Sequence, residues 1–408
     1  MVPMSISLMA REIAESPTLM LNEKARLLRE KGEKVIHLGA GEPKSKAPIE
    51  AILSSAAQLS SAEVRYTPTE GIPILIKAIV RYMEENYNKV VSNKNILVSN
   101  GAKQALMTVL MTILNQQDEV IINAPYWVSY PEMIKMVYGR PVIVTPEDGR
   151  VQPQMEDIAD KVGSYTKAII LNSPNNPSGA VYNEDFIGEC VEFCEKKDIY
   201  LIMDDIYHKL VFDGKSCPSV YKYSKKDLED SKIIVLNGVS KLYAMTGFRI
   251  GWVVAARKLL EVMINVQAQT TSCPPVVSQA AAAGALNGIQ SGVESLRLTL
   301  QNNRDVMYTE LKAFDGVHVY KPEGTFYCLA DFSNYEKDST KLSQRLLEKV
   351  FVVTVPGVEF GMEGHLRLSF CGGIKGIMEG VERMKWVLDP NSPNEIYIGD
   401  RKLVRDWQ

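Results

Sequence analysis

Between residues 95 and 255 the chain alternates short, nearly unbroken apolar runs with longer stretches in which apolar residues recur at helical spacing. NILVS (95–99), EVIINA (119–124), PVIVT (141–145), KAIILNS (167–173), IYLIMDD (199–205), KIIVLN (232–237) and RIGWVVA (249–255) are rich in valine and isoleucine. They carry no polar alternation, the mark of strands covered on both faces. KQALMTVLMTIL (103–114) and EDFIGECVEFCEKK (184–197) are of helix length and lie between them. The pattern predicts an α/β fold with a mostly parallel sheet. After about residue 292 the character changes. A long helical segment leads to strand candidates HVYKP, FYCLADF and HLRLSFC, with helices over 338–350 and 374–387, which reads as a smaller α+β unit. Near the start, a helix over about 20–32 precedes the loop HLGAGEP, and the AAAAG near 281 reads as a close-packed helix.

A chain of 408 residues exceeds what one hydrophobic core comfortably serves, so two domains are expected. Hydrophobic residues make up 46% and charged residues 23%, an ordinary globular composition. The net charge of -3 and the lack of a basic stripe interleaved with aromatics speak against a nucleic-acid partner. No run approaches a membrane span, and the opening segment meets Arg11 and Glu12 before an apolar core develops, so a cytoplasmic protein without a membrane partner is expected. Six scattered cysteines do not form a disulfide framework; Cys190 and Cys194, four apart on a helix, read as buried thiols. Four histidines, none in an HExxH pattern, give no metal site.

Ligands of open parallel sheets sit beyond the carboxyl ends of the strands, so the residues at the end of each run carry the chemistry. After 95–99 comes SNGAKQAL, a glycine turn opening a helix whose free N–H groups suit an anion. APYWVSY comes after 119–124, NSPNNPSG overlaps the end of 167–173, and Asp204-Asp205 with Tyr207 closes 199–205. The run 232–237 leads into GVSKLYAMTGFRIG (238–251), with one lysine among small and apolar residues and an arginine eight positions later. Each feature alone is weak, since a strand-end aspartate is commonly a cap or turn former. Together they put an anion cradle, a flat aromatic, an amide, a carboxylate, a phenol, a lysine and an arginine at one edge of one sheet. That set suits a phosphorylated, planar, basic heterocycle bearing an aldehyde, which is pyridoxal phosphate.

These residues resemble the class I and II aminotransferases of fold type I. AGEP, YTPTEGIP, NGAKQAL, PYWVSYPEM, SPNNPSG, DDIY, GVSKLYAMTGFRIG and HLRLS match the family's motifs in order over nearly the whole chain. The resemblance implies a large cofactor-binding domain over 47–291 around a mostly parallel seven-stranded sheet. It also implies a smaller α+β domain from 1–46, with an N-terminal arm, and 292–408. Lys241 resembles the lysine that joins the cofactor covalently and then moves the α-proton, and Asp204 the carboxylate that keeps the pyridine nitrogen protonated. Asp205 competes by adjacency; the family's D-x-x-Y spacing to Tyr207 favours Asp204. Tyr207 and Asn176 match donors to the ring's phenolic oxygen, and Trp127 the aromatic stacked on its face. Gly101, Ala102 and Lys103 at the helix start, Ser240 and Arg249 match the phosphate site, with Gly238 standing where the family often has a serine. Tyr66 resembles a tyrosine that reaches the phosphate of a neighbouring subunit, which implies a homodimer with shared active sites. Pro125 and Pro177 sit where the family tolerates cis bonds.

On the substrate side the resemblance implies that Arg367 clamps the α-carboxylate, with Gly41, Asn176 and Trp127 beside it. Lys103, with Ser16 and Thr18 in ESPTLML, resembles the aspartate/prephenate aminotransferase subgroup, in which a lysine recognises the side-chain carboxylate; a phosphate-loop cation is the other reading of Lys103. GEPKSKAP (41–48) departs from the subgroup's usual GEPDF and changes charge near the entrance. The expectation is a ping-pong transaminase moving an amino group from aspartate to 2-oxoglutarate. An aromatic or prephenate aminotransferase, a lyase on the same fold and a cofactor-binding regulator are the alternatives. VPGVEFGMEGH (355–365) reads as an entrance loop that moves on closure.

Overall fold

The computed structural model describes residues 5–14, 17–146 and 149–405. Its centre is a seven-stranded sheet in the order Ile96–Ser99, Gly251–Val254, Ile233–Gly238, Tyr200–Asp204, Thr166–Asn172, Glu119–Asn123 and Arg140–Val144. Gly251–Val254 runs antiparallel to both neighbours; the other pairings are parallel. The predicted runs become these strands within two residues at either end. The inner ones are buried on both faces, as their unbroken apolar character requires. Helices Ala102–Ile113, Glu184–Lys197, Arg257–Thr270 and Pro73–Tyr87 accompany them. Cys190 and Cys194 lie buried on the second of these, and all six cysteines are free.

The run predicted over 249–255 begins two residues late, at Gly251. Arg249 adopts φ 55° at the end of the short 3-10 helix Thr246–Phe248, a left-handed conformation that no strand admits. The shift matters, because it takes the arginine out of the ladder and puts it in the turn. Gly251 in turn lies against the backbone of Gly101 and Ala102, where a Cβ would overlap the Ala102 nitrogen. The turn and the start of helix Ala102–Ile113 are thereby packed together.

A second, four-stranded antiparallel sheet has the order Val355–Pro356, His365–Ser369, Tyr327–Asp331 and His318–Val319. Helices Ser291–Lys312, Ser339–Val350 and Ile374–Leu388 pack around it. Ile36–His37 pairs in parallel with Val352–Val353, so the segment that leads into HLGAGEP is held by the C-terminal part of the chain. Helix Val276–Asn287, with Ala281, Ala282, Ala283 and Ala285 buried, comes so close to helix Ile49–Ser60 that a side chain at Gly284 would meet the Glu50 backbone. A hairpin that no apolar run in the sequence predicts, Glu395–Ile398 with Arg401–Val404, comes after the last helix. Among the described residues no helix is long and apolar enough to cross a membrane.

Candidate active site

The carboxyl ends of the central parallel strands open onto a cavity of about 1360 Å³. Lys241 reaches it from the turn after Ile233–Gly238, Asp204 from the end of Tyr200–Asp204, Asn172 from the end of Thr166–Asn172, Asn176 from the turn that follows, and Arg367 from the second sheet. Lys241 Nζ donates to the Gly41 carbonyl at 2.5 Å and stands 5.7 Å from the Phe326 ring centre. Burial and then the nearby Arg367 and Arg249 cations push its amine down to about 8, with Glu42 opposing them. Lowering the amine in this way raises the share present as the free nucleophile and base.

Asp204 is buried, and its Oδ2 accepts a 2.7 Å bond from the Tyr130 hydroxyl. The Ile206 N–H lies 3.3 Å from Oδ1. Burial drives its carboxyl upward, while Tyr130, Ile206 N–H and Lys241 pull it back. Asp205, its neighbour, is turned away from the cavity. It is 3% exposed, its Oδ1 has no partner, and burial raises its carboxyl to about 8 against a bond from Tyr87. Strand alternation thus puts Asp204, and not Asp205, on the cavity side. Tyr207 is buried beside the cavity with its hydroxyl 3.5 Å from that of Tyr327, and its ring packs edgewise on Phe326 and Tyr327.

Helix Ala102–Ile113 starts at Gly101, φ 85°, with no side-chain cap, so its first N–H groups remain available to a ligand. A Cβ on Gly101 would collide with the Arg249 guanidinium, which therefore lies directly over the helix start. Ala102, Ser240 and Arg249 line the cavity here. Lys103 also lines it, with Nζ 4.9 Å from the Trp127 ring centre. Trp127 stands edge-on to Tyr130, 5.3 Å between centres, so the tryptophan is braced by the tyrosine that holds Asp204.

Arg367, 2% exposed, points into the cavity from His365–Ser369. Its Nη1 donates to Asn176 Oδ1 at 3.0 Å and its Nη2 to the Gly39 carbonyl at 3.2 Å, with its guanidinium 4.4 Å from the Tyr327 ring centre. Nε is buried without a partner. Asn176 is itself fixed by its backbone N–H on Asn172 Oδ1, and Asn172 by its amide on the Asp204 carbonyl. One chain of bonds thus runs from the arginine to the aspartate.

Not every expected residue joins this group. Tyr66 is 91% exposed and lies outside the cavity of its own chain. Ser16 falls outside the described residues; Thr18 lies on helix Pro17–Glu30, and nothing is described of its side chain. The expected cis bond at Pro177 is corrected. The cis prolines are Pro125 and Pro174, the latter just past the end of strand Thr166–Asn172, where the chain must turn away. Pro177 lies inside a turn already closed by the Gly179 N–H on the Asn175 carbonyl. Sequence reasoning misses Tyr130 and Tyr327. Tyr130 sits within PYWVSYPEM, but nothing local links it to an aspartate 74 positions away.

Comparisons with known proteins agree with this geometry. Residues 33–383 match the family described as aminotransferase class I and II. The chain is 38% identical to a "Probable aspartate/prephenate aminotransferase" of Aquifex aeolicus, covering 92% of this chain and 96% of that one. It is 34% identical to an "Aspartate aminotransferase" of Bacillus subtilis, covering 93% and 98%. A structure of aspartate aminotransferase from Thermus thermophilus with maleate superposes with a TM-score of 0.89 at 34% identity, over 94% of this chain and all of that one. A shared fold, a family match over residues 33–383 and a half-buried lysine on the same cavity as a buried carboxylate lead to one conclusion: the chain belongs to the class I and II aminotransferases.

Proposed function

We propose that this enzyme binds pyridoxal 5'-phosphate through Lys241 and moves the amino group of L-aspartate to 2-oxoglutarate. The observation that carries the proposal is the pairing of Lys241, its amine pushed down to about 8, with the buried Asp204 across one cavity. The cavity fits the cofactor at three points. The uncapped helix start at Gly101 under Arg249, with Ser240, suits a phosphate. Asp204, raised by burial and short of a cation, suits a protonated ring nitrogen. Trp127 offers a flat face on the cavity wall.

When bound, the cofactor supplies an aldehyde that joins amines and a protonated ring that accepts electron density. The protein's own groups do the rest. Lys241 Nζ takes the proton from the substrate Cα and returns one at the far side of the transfer. Asp204 would hold a protonated ring nitrogen, and the Tyr130 hydroxyl fixes the Asp204 carboxylate. Tyr207 and Asn176, both on the cavity wall, would hold the ring's phenolic oxygen. Arg367, with the Gly41 and Asn176 groups beside it, orients the α-carboxylate so that the Cα–H bond faces Lys241. Lys103, beside Trp127, takes the second carboxylate of a dicarboxylic substrate, assisted by the arm that carries Ser16 and Thr18. The donor leaves as its oxo acid before the acceptor enters.

In the same reading, residues 47–291 form the cofactor domain, while 1–46 and 292–408 form the smaller one. The containment of the seven-stranded sheet within 96–254, and the pairing of Ile36–His37 with Val352–Val353, support this division. Tyr66, almost fully exposed, is assigned to a neighbouring subunit's phosphate in a homodimer. Six free cysteines are in keeping with a cytoplasmic setting. The names of the relatives support aspartate, and the Thermus structure with maleate supports a dicarboxylate site. The test is turnover of a panel of amino acids against 2-oxoglutarate by the cofactor-loaded enzyme. Aspartate with the highest kcat/KM supports the proposal; phenylalanine ahead of aspartate would transfer it to an aromatic donor.

A further inference from the structure

The cavity wall beside Arg367 carries two more cations that the proposed reaction leaves unassigned. Lys44, in the Gly41–Lys44 stretch, and Arg29, near the end of helix Pro17–Glu30, both line the cavity. Among the described residues neither side chain has an ion-pair or hydrogen-bond partner, although nearby Arg26 is bonded to Glu23 and Glu30. Lys44 Nζ stands 3.9 Å from where a side chain on Gly372 would begin, just past the strand that bears Arg367. Its field and that of Lys241 both fall on the Cys371 thiol, and the fields of Arg29, Lys44 and Arg367 all fall on His37.

His37 adds no compensating charge. Burial, then Arg29, Lys44 and Arg367 push its ring down to about 4, so it is neutral at physiological pH. Glu42, two residues before Lys44 and also on the cavity, accepts a 2.7 Å bond from Thr246 on the opposite turn. The other glutamates of the cavity, Glu132 and Glu359, lie near Tyr126 instead. Three cations therefore share one wall. The short segment that bears Lys44 is also fixed to the reacting centre, because its Gly39 carbonyl holds Arg367 and its Gly41 carbonyl holds Lys241.

We propose that Lys44, seconded by Arg29, is a specificity-determining residue that draws doubly anionic substrates to the Arg367 end of the cavity and discriminates against those with one carboxylate. This deepens the aminotransferase reading and rests on it. The two lie outside the site of Lys103, whose ammonium is seated at Trp127. Their action is through space, so it scales with substrate charge and weakens in salt.

The test uses the cofactor-loaded enzyme with Lys44→Gln, Arg29→Gln and the pair together. Both residues are exposed, so the variants should fold. Calorimetric titration with succinate, an unreactive dicarboxylate, reads binding without turnover, and steady-state kinetics read aspartate against alanine. At low salt Lys44→Gln should weaken succinate binding and raise the KM for aspartate by about 3–10-fold, and the KM for alanine less, with the loss falling on KM rather than kcat. Arg29→Gln should give a smaller change in the same direction, and about 0.5 M salt should erase most of the difference. Unchanged succinate affinity, an equal effect on alanine, or an effect that persists in high salt overturns the proposal. Failure of the parent reading looks different: the unmodified enzyme would then turn over no amino donor at all.

Discussion

Asp204 and Asp205 are adjacent, equally acidic in sequence and both buried, yet they sit in opposite chemical surroundings. Asp204 faces the cavity, where a tyrosine hydroxyl, a backbone N–H and the Lys241 amine favour its charge. Asp205 faces the back of the sheet among Tyr87, Tyr221 and Cys217, where burial raises its carboxyl to about 8. At the back, polar groups bond one another around a carboxyl that keeps one unpartnered oxygen. His208 shares a 2.8 Å bond with the Tyr82 hydroxyl, and Asn237 donates to the Tyr87 hydroxyl and accepts from the Gly238 N–H. The front leaves its groups unfinished: Arg367 Nε has no partner, the helix at Gly101 has no cap, and Asp204 has no full counter-ion. Unfinished groups at the front open onto the cavity, whereas Asp205 behind is enclosed by packed side chains, and that access separates a site from a scaffold.

That contrast can be broken in order of expected effect. Asp204→Asn should lower kcat by about 10²–10³-fold, since an amide cannot hold the ring nitrogen's proton, while the fold, read by thermal melting, persists. Arg367→Lys should lower kcat/KM by about 10–100-fold for every amino donor, because the fork common to all is lost; steady-state kinetics across the donor panel check this. Lys103→Ala should raise the KM for aspartate about tenfold and that for phenylalanine about twofold or less. Equal rises would mark Lys103 as a phosphate cation instead. Asp205→Asn should change kcat by no more than about twofold and act on stability alone. A carboxyl raised to about 8 contributes stability that is complete below the unfolded value of about 4 and is lost as pH rises through 8. The unmodified protein should therefore lose more Tm than Asp205→Asn between pH 5 and 8, measured by calorimetry on both. A large fall in kcat for Asp205→Asn would erase the distinction between front and back.

Much of the front is legible in the sequence because it sits where strands end. Seven unbroken apolar runs locate seven strands, and the polar residues just beyond them line the cavity: Asn176, Asp204, Tyr207, Ser240 and Lys241. Contact between distant segments is what the sequence withholds. Tyr130 on Asp204, Gly41 on Lys241 and Lys103 over Trp127 join positions that no local period connects. Arg249 reads as a strand residue because its neighbours are apolar, and only its left-handed backbone moves it over Gly101. The hairpin Glu395–Val404 escapes because its strands are only four residues long and mostly exposed; Arg401 on Glu33 and, just before the hairpin, Trp386 Nε1 on the Pro393 carbonyl join positions that no local period connects.

Every role assigned to the front depends on the amine at position 241 being the attachment point for the cofactor. Incubating the purified protein with pyridoxal phosphate, reducing with borohydride and mapping the modified peptide by mass spectrometry tests it most directly. One equivalent fixed on Lys241, and none in Lys241→Ala, is the expected result. Label spread over surface lysines, with position 241 unmodified, would contradict it.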